Sequence, residues 1–231
     1  MGIADNGEIW HMLDRRFGIP PTLIEFTTLQ SRDLSKYNVI ILANGSPTNP
    51  LAPEALSKLK EWTNNGGTLI ATGNAYRLTN KAKITDFKLL SPEKGNEKSK
   101  GNANIEYRPY HSTEKASAGI DGVIFNCTLD ITSPLGYGYS HPEVAVLKNG
   151  ATVMDFSQIK GNSPMYYTKQ PYLSGCVSQK NINRIANSPA ALVTKSGKGN
   201  VIWFADDLNY RSYWFGGTKI FMNAVYFGQL Y

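Results

Sequence analysis

The chain has 231 residues, of which 41% are hydrophobic, 11% aromatic and 18% charged, with a formal net charge of +6. This length fits one large domain or two small ones, and the hydrophobic share is sufficient for an ordinary buried core. The composition excludes an intrinsically disordered chain and a fibrous repeat. We therefore expect a globular protein.

The excess positive charge is concentrated in one polar stretch in which lysines alternate with acidic residues. Proteins that follow nucleic-acid phosphates set basic residues along one helix face or interleave them with aromatic residues, and neither arrangement is present. We therefore expect no nucleic-acid partner. No apolar run is long enough to span a bilayer, and the opening M-G-I-A-D-N-G-E lacks the features of a signal peptide. The lysines of the polar stretch are Lys81, Lys83, Lys88, Lys94, Lys98 and Lys100.

The first third of the chain has the pattern of a doubly wound α/β fold. Helical spacing of apolar residues predicts a helix over residues 6–16, and the run V-I-I-L predicts a buried strand at 39–42. A proline at a helix start predicts a helix over 53–64, and a second buried strand follows at 68–72. Such sheets normally open with a strand before the first helix. Here that strand is predicted to be absent.

The rest of the chain is predicted to hold a polar insertion, several strands and a closing helix. No repeat or flexible linker is visible, so we expect one domain over residues 1–231, with an elaborated middle and a mainly parallel sheet in three layers. The predicted insertion covers 80–119, the strands 123–131, 144–147, 152–156, 190–194 and 201–205, and the final helix 217–227.

Three loops follow predicted strands and are expected to converge, because ligands of open α/β sheets bind outside the carboxyl ends of the strands. They cover residues 43–47, 72–77 and 205–211. The second loop has the shape of a nucleophile elbow, G-G-T-L-I-A-T-G-N-A-Y, but its tip is Gly73 or Asn74. Neither side chain can attack a carbonyl group, so the loop predicts an elbow without a nucleophile.

The late-strand loop lacks the histidine that an acyl-transfer triad requires. It reads F-A-D-D-L-N-Y-R and carries Asp206 and Asp207. One interpretation gives these carboxylates a role in capping and loop bracing. The other makes them a reactive site with Glu8 or His11 of the first helix, which are predicted to share one helix face.

Two patterns suggest metal or thiol chemistry only weakly. His111 and Glu114 match the spacing H-x-x-E, but the only later histidine, His141, lies in another loop, so we predict no metal site in this chain. Cys127 and Cys176 have no metal-binding spacing. They are either paired in an exported protein or buried free thiols.

Several aromatic residues in the second half have two interpretations. They are either a platform for sugars or peptides or ordinary packing residues. They are Tyr166, Tyr167, Tyr172, Tyr210, Tyr213 and Trp214.

Five segments together resemble one protein family: G-E-I-W-H-M-L-D-R-R-F-G-I-P, D-L-S-K-Y-N-V-I-I-L-A-N-G, G-G-T-L-I-A-T-G-N-A, L-D-I-T-S-P-L-G-Y-G-Y and N-Y-R-S-Y-W-F-G-G-T-K-I-F-M-N-A-V-Y-F-G. The chain is similar, over nearly its whole length, to the C-terminal glutamine-amidotransferase-like domain that follows the peptidase domain in large secreted zinc carboxypeptidases of Bacteroidetes-type bacteria. The resemblance implies a flavodoxin-like fold of the class I amidotransferase type. It also implies a periplasmic or extracellular location and an upstream peptidase domain as the partner.

The resemblance implies no amidotransferase activity and no cofactor in this domain, since zinc is expected in the parent peptidase domain. The oxyanion-type loop falls on Asn44, Gly45 and Ser46, and the elbow on Gly73 and Asn74. The strand normally found ahead of G-E-I-W-H is absent, which predicts an exposed sheet edge and an oligomer formed through it. The full set of predicted crevice residues is Glu8, His11, Asn44, Gly45, Ser46, Gly73, Asn74, Asp206, Asp207, Tyr210 and Arg211.

The leading expectation is a non-catalytic accessory domain of a zinc carboxypeptidase, with a structural or ligand-binding role. Two alternatives remain. One is a hydrolase that uses Asp206 or Asp207 in the strand-end crevice. The other is a module that binds a carbohydrate or a cell-envelope peptide.

Overall fold

The computed structural model describes residues 3–45, 52–90, 119–155 and 161–231. Within these ranges, seven strands form one sheet in the order β1-β2-β7-β6-β5-β3-β4. The strands are β1 Val39–Leu42, β2 Thr68–Thr72, β3 Asp121–Leu129, β4 Glu143–Asn149, β5 Asn162–Ser174, β6 Pro189–Ser196 and β7 Gly199–Phe204. The helices are α1 Ile3–Trp10, α2 Pro53–Asn64, α3 Tyr76–Lys81, α4 Gln179–Ile185 and α5 Thr218–Phe227.

The sheet is mixed. β1 pairs with β2, and β2 with β7, in parallel register. The remaining pairings, β7–β6, β6–β5, β5–β3 and β3–β4, are antiparallel. The prediction of a mainly parallel sheet is therefore correct for the three strands that carry the predicted crevice and wrong for the other half. Of the antiparallel pairs, β6 and β7 are joined by a tight turn, a connection that only antiparallel neighbours can have.

Helices cover both faces of the parallel part, which gives the predicted three layers. Alternate side chains of β7 point to opposite faces, as the two-residue period of a strand requires. Phe204 packs in one core with Met12 at the end of the first helix and Phe221 of α5. Trp203 packs in the other core with Leu59 of α2. β2 and β7 are buried along their whole length because both of their faces are covered.

The predicted elements match the structure most closely where both faces are buried. β1, α2 and β2 have the predicted boundaries, and the predicted hairpin is β6 and β7. Residues 152–155 do not form the predicted strand, and Met154 makes only an isolated bridge to Leu89. The long strand β5 was not predicted, because Pro164 and Pro171 interrupt its sequence pattern.

The first helix begins at Ile3 rather than at residue 6, and it continues from His11 to Arg16 as a π-helical turn. It is the first element of the described residues. β1 pairs directly with β2, so no gap remains between them. β1 is an edge strand of the sheet. That two copies of the protein associate through this strand remains a prediction. No helix in the described ranges is long and apolar enough to cross a membrane.

Candidate functional site

The three strand-end loops meet, and the side chain of Asn44 joins them to α1. The backbone N–H of Asn74, in the elbow, donates to Oδ1 of Asn44 over 2.9 Å. The Nδ2 group of Asn44 donates to Oδ1 of Asp5 over 3.3 Å. One amide therefore connects the loop after β1 with the loop after β2 and with the first turn of α1.

The tip of the elbow is Gly73, which has a positive φ of 49°. A Cβ atom at this position would lie 2.4 Å from Oδ1 of Asn44, so only glycine allows the asparagine to approach. The carbonyl oxygen of Gly73 accepts a hydrogen bond of 2.8 Å from Nε1 of Trp203 in β7. The strained position that holds the nucleophile in an active elbow is thus occupied by a residue without a side chain.

The elbow also lacks a free oxyanion donor. In nucleophile elbows, the backbone N–H of the residue after the nucleophile stabilises the oxyanion. Here that residue is Asn74, and Asn44 already accepts its N–H. Gly45 has a φ of 132°, which suits glycine in this loop. Ser46 lies outside the described residues, as do His111 and Glu114.

Three carboxylates cluster beside Asn44. One oxygen from each of Asp5, Glu8 and Asp207 lies within 4.8 Å of the others. Asp5 and Glu8 are three residues apart on α1 and therefore share a helix face. Glu8 is only 8% exposed, and its Oε2 is buried without a hydrogen-bond partner in the described protein. These three side chains could hold a metal ion.

Crowding of the carboxylates changes their protonation. Burial, followed by the hydrogen bond and the negative charge of Glu8, raises the pKa of Asp207 to about 8. The backbone N–H of Asn209 donates to Oδ1 of Asp207 over 3.4 Å and acts in the opposite direction. Burial also raises the pKa of Asp5, whereas the hydrogen bond from Asn44 lowers it. These effects together favour the protonated form of Asp207 in the folded protein.

Asp206 points away from this cluster into the core. Its Oδ1 lies 2.9 Å from Nζ of Lys148, and its Oδ2 accepts a hydrogen bond from the hydroxyl of Tyr167. Both side chains of the ion pair are inaccessible, at 1% exposure for Lys148 and 0% for Asp206. The structure thus gives Asp206 the bracing role that was one of its two interpretations. A substrate in the crevice cannot reach it.

The buried ion pair influences two neighbouring groups. Burial first, and then the charge of Asp206, raises the pKa of Tyr167 well above its usual value. Burial first, and then the charge of Asp206, also raises the pKa of the Cys127 thiol. Cys127 is buried and Cys176 is exposed, and the two are not joined. The buried-thiol interpretation therefore holds for Cys127 and is wrong for Cys176.

His11 does not join the carboxylates. It is exposed, whereas Glu8 is buried, although the two are three residues apart. A π-helical turn begins at His11. The expected association of His11 with the carboxylates is not present among the described residues.

The 3₁₀ turn Tyr210–Ser212 packs against α1 beside the cluster. The guanidinium group of Arg211 lies 5.2 Å from the ring centre of Tyr210. Arg211 and Ser212 have positive φ values of 47° and 57°, which are strained for residues with side chains. Nδ2 of Asn209 and Nε1 of Trp214 are buried without a partner among the described residues.

The aromatic residues do not form one platform. Tyr167 is buried, whereas its neighbour Tyr166 is 43% exposed on β5. Tyr210 and Tyr213 are near the crevice and make an edge-to-face contact with ring centres 5.9 Å apart.

Asp5 and Lys148 belong to these arrangements and were not predicted from the sequence. The signal for Asp5 was its helical spacing from Glu8. The signal for Lys148 was its place in the alternating pattern of β4, where Val144 and Val146 point inward and Lys148 follows with the same period.

The fold is similar to those of several solved proteins. A ThuA-like protein from Parabacteroides merdae matches with a TM-score of 0.58 at 9% identity, over 96% of this chain and 84% of that one. A ThuA-like protein from Bacteroides uniformis has a TM-score of 0.55 at 11% identity, over 97% of this chain and 86% of that one. PurLQS from Thermotoga maritima has a TM-score of 0.56 at 15% identity, over 95% of this chain and 91% of that one.

The chain has an α/β, flavodoxin-like fold of the class I amidotransferase kind. At these identities the similarity establishes the fold alone. No protein-family model and no curated protein sequence matches the chain.

The buried ion pair generates a first prediction. Replacing Lys148 by Met leaves the Asp206 carboxylate buried and unpaired, and should lower the free energy of unfolding by about 3–5 kcal/mol. In the double variant Lys148→Met with Asp206→Asn, no charge is left buried, so the loss should be smaller than the sum of the two single losses. Urea unfolding of all four proteins measures this coupling. Losses that add to within about 0.5 kcal/mol would show that the two residues do not interact.

The raised pKa of Asp207 generates a second prediction. Between the ordinary carboxyl value of 3.8 and about 8, the unfolded chain has lost a proton that the folded chain keeps. The free energy of unfolding therefore falls as the pH rises through this window and levels off above it. Asp207→Asn removes this contribution. The free energy of unfolding of the variant, relative to that of the wild type, should therefore increase by about 1–3 kcal/mol from about pH 5 to pH 8. Urea titrations in chelator-treated buffer test this, and parallel pH profiles for the two proteins would contradict it.

Proposed function

We propose that this chain is a binding domain without chemistry of its own, and that it serves as an accessory domain of an exported zinc carboxypeptidase. The observation that carries the first part is the closed elbow. Gly73 offers no nucleophile, and the N–H of Asn74 is already bonded to Asn44. Acyl transfer requires both a nucleophile and an oxyanion donor.

Unsatisfied polar atoms in the crevice elements support a binding role. Oε2 of Glu8 in α1 and Nδ2 of Asn209 in the loop after β7 are buried and lack a partner among the described residues. Such atoms are uncommon in folded proteins, because each loses its hydration without a replacement. A polar ligand would supply the missing partners. Peptides and glycans of the cell envelope have the matching donors and acceptors.

The sequence resemblance supports the parent enzyme and the location. Its five segments extend from residue 7 to residue 228, and the fold that it implies agrees with the amidotransferase-like fold of the structure. In this proposal, the catalytic zinc belongs to a peptidase domain of the same polypeptide. This domain works outside the cytoplasm.

A second candidate function is hydrolysis by the carboxyl pair of Asp207 and Glu8. The observation that favours it is the pKa of Asp207, which burial and Glu8 raise to about 8. Two carboxyl groups that share one proton are the acid and base of some hydrolases. Asp206 takes no part in this version, because the ion pair with Lys148 holds it in the core.

Turnover assays distinguish the two functions. Wild type, Asp207→Asn and the control Asp14→Asn are incubated with a panel of amides, esters and glycosides. Asp14 follows α1 in the same first helical segment but is not one of the clustered carboxylates. We expect no turnover by any of the three proteins. Turnover by wild type that falls by about 100-fold or more in Asp207→Asn alone would establish the hydrolase, because general acid–base groups contribute that much.

The parent enzyme is tested by the reading frame that encodes the chain. We expect an upstream peptidase domain with an H-x-x-E pair and a distant histidine, the ligand set of a catalytic zinc. The readout is the cDNA or genomic sequence on the 5′ side. A free-standing gene for this chain would contradict the accessory role while leaving a binding function in place.

A further inference from the structure

The carboxylates of Asp5, Glu8 and Asp207 are brought together by two separate parts of the fold. Asp5 and Glu8 are on successive turns of α1, and Asp207 is in the loop after β7. One oxygen from each lies within 4.8 Å of the others. Repulsion between like charges opposes this arrangement. In the described part of the chain, no lysine or arginine forms an ion pair with any of the three.

The state of Glu8 is an independent indication of a ligand. Its side chain is more than nine-tenths buried, and Oε2 has no hydrogen-bond donor in the described protein. A buried carboxylate oxygen without a donor loses its hydration and receives nothing in exchange. The cost disappears when a cation approaches that oxygen.

We propose that Asp5, Glu8 and Asp207 bind a hard divalent cation, Ca²⁺ or Mg²⁺, at the carboxyl ends of β1, β2 and β7. The inference rests on the proposed binding function, since it names one ligand of the same crevice. All three ligands are carboxylate oxygens, which hard cations prefer. Zinc prefers imidazole and thiolate, and neither His11, which is exposed, nor Cys127, which is in the core, belongs to the group.

Asn44 has a positioning role in this site. Its Nδ2 group donates to Oδ1 of Asp5, which leaves the other oxygen of Asp5 available. Outer groups of this kind fix the orientation of metal-binding carboxylates. The hydrogen bond from Asn74 fixes Asn44 in turn. Cation binding is thereby connected to the elbow through one side-chain amide.

Within the described residues, the three carboxylates do not supply all the ligands that a cation takes. Three carboxylates supply three to six oxygens, whereas Ca²⁺ takes six to eight ligands and Mg²⁺ takes six. The remaining positions are free for water or for an oxygen of a ligand in the crevice. A peptide carboxylate or a sugar hydroxyl pair would complete the coordination.

The test uses the whole 231-residue chain after treatment with a chelator and buffer exchange. Calorimetric titration with CaCl₂, MgCl₂ and MnCl₂ is combined with thermal unfolding. We expect one saturable site for Ca²⁺ or Mg²⁺. At about ten times the dissociation constant, the unfolding midpoint should rise by roughly 3–6 °C. The calorimetric titrations distinguish Ca²⁺ from Mg²⁺ by their affinities, because Mg²⁺ requires a smaller and more regular site.

Matched variants assign the binding to this site. Glu8→Gln and Asp207→Asn keep the shape of the side chain and remove one carboxylate ligand each, so both should fold. Each should weaken cation binding by about tenfold or more, because affinity depends on the number of charged ligands. Asp14→Asn, on the same helical segment and outside the cluster, should bind as wild type does. Circular dichroism confirms that all variants are folded.

Two results would overturn the proposal. One is the absence of saturable binding for Ca²⁺, Mg²⁺ and Mn²⁺, in which case Glu8 and Asp207 share a proton instead of a metal ion. The other is unchanged binding in both Glu8→Gln and Asp207→Asn, which would place the cation elsewhere. Either failure leaves the turnover assay unaffected. Turnover that depends on Asp207 would overturn the non-catalytic function instead.

Discussion

The side-chain amide of Asn44 is the contact on which the rest of the crevice depends. Its oxygen takes the N–H of Asn74, and its nitrogen holds Asp5 of α1. The first bond occupies the N–H that would otherwise be an oxyanion donor, and the second connects α1 to the strand ends. Because Asn44 lies so close, the tip of the elbow must be Gly73. The tip of the elbow therefore carries no side chain, and the N–H that follows it is already bonded.

Asp206 and Asp207 show how one strand end produces two environments. Both residues follow the end of β7, where the chain bends. Asp206 enters the core, where Lys148 and Tyr167 compensate its charge, whereas Asp207 lies beside Glu8 of α1, which adds a second carboxylate. The first carboxylate braces the junction of the parallel and antiparallel halves of the sheet. The carboxyl group of Asp207, in the crevice, can hold a proton or, as we propose, bind a cation.

The sequence was informative where a single physical cause decides the structure. β1, α2 and β2 follow from apolar runs and from a proline at a helix start, and the absence of a nucleophile follows from reading Gly73 and Asn74. The convergence of the three loops follows from the general position of sites in open α/β sheets.

Other features depend on contacts that no short pattern contains. The π-helical turn that begins at His11 has no sequence signature here. The cluster of Asp5 with Asp207 joins residues about two hundred positions apart. β5 was missed because two prolines lie within it, and its pairing with β3 and β6 overrides that local preference. Tertiary packing decides each of these cases.

The most direct test of the account is amide hydrogen exchange at Asn74, measured by NMR in wild type and in Asn44→Leu. The leucine keeps a similar volume and cannot accept a hydrogen bond. The account predicts that the Asn74 N–H is protected in wild type and exchanges at least about tenfold faster in the variant, because a hydrogen bond contributes about 1 kcal/mol or more. Equal exchange rates in the two proteins would mean that Asn44 does not close the elbow, and the non-catalytic function would lose its main support.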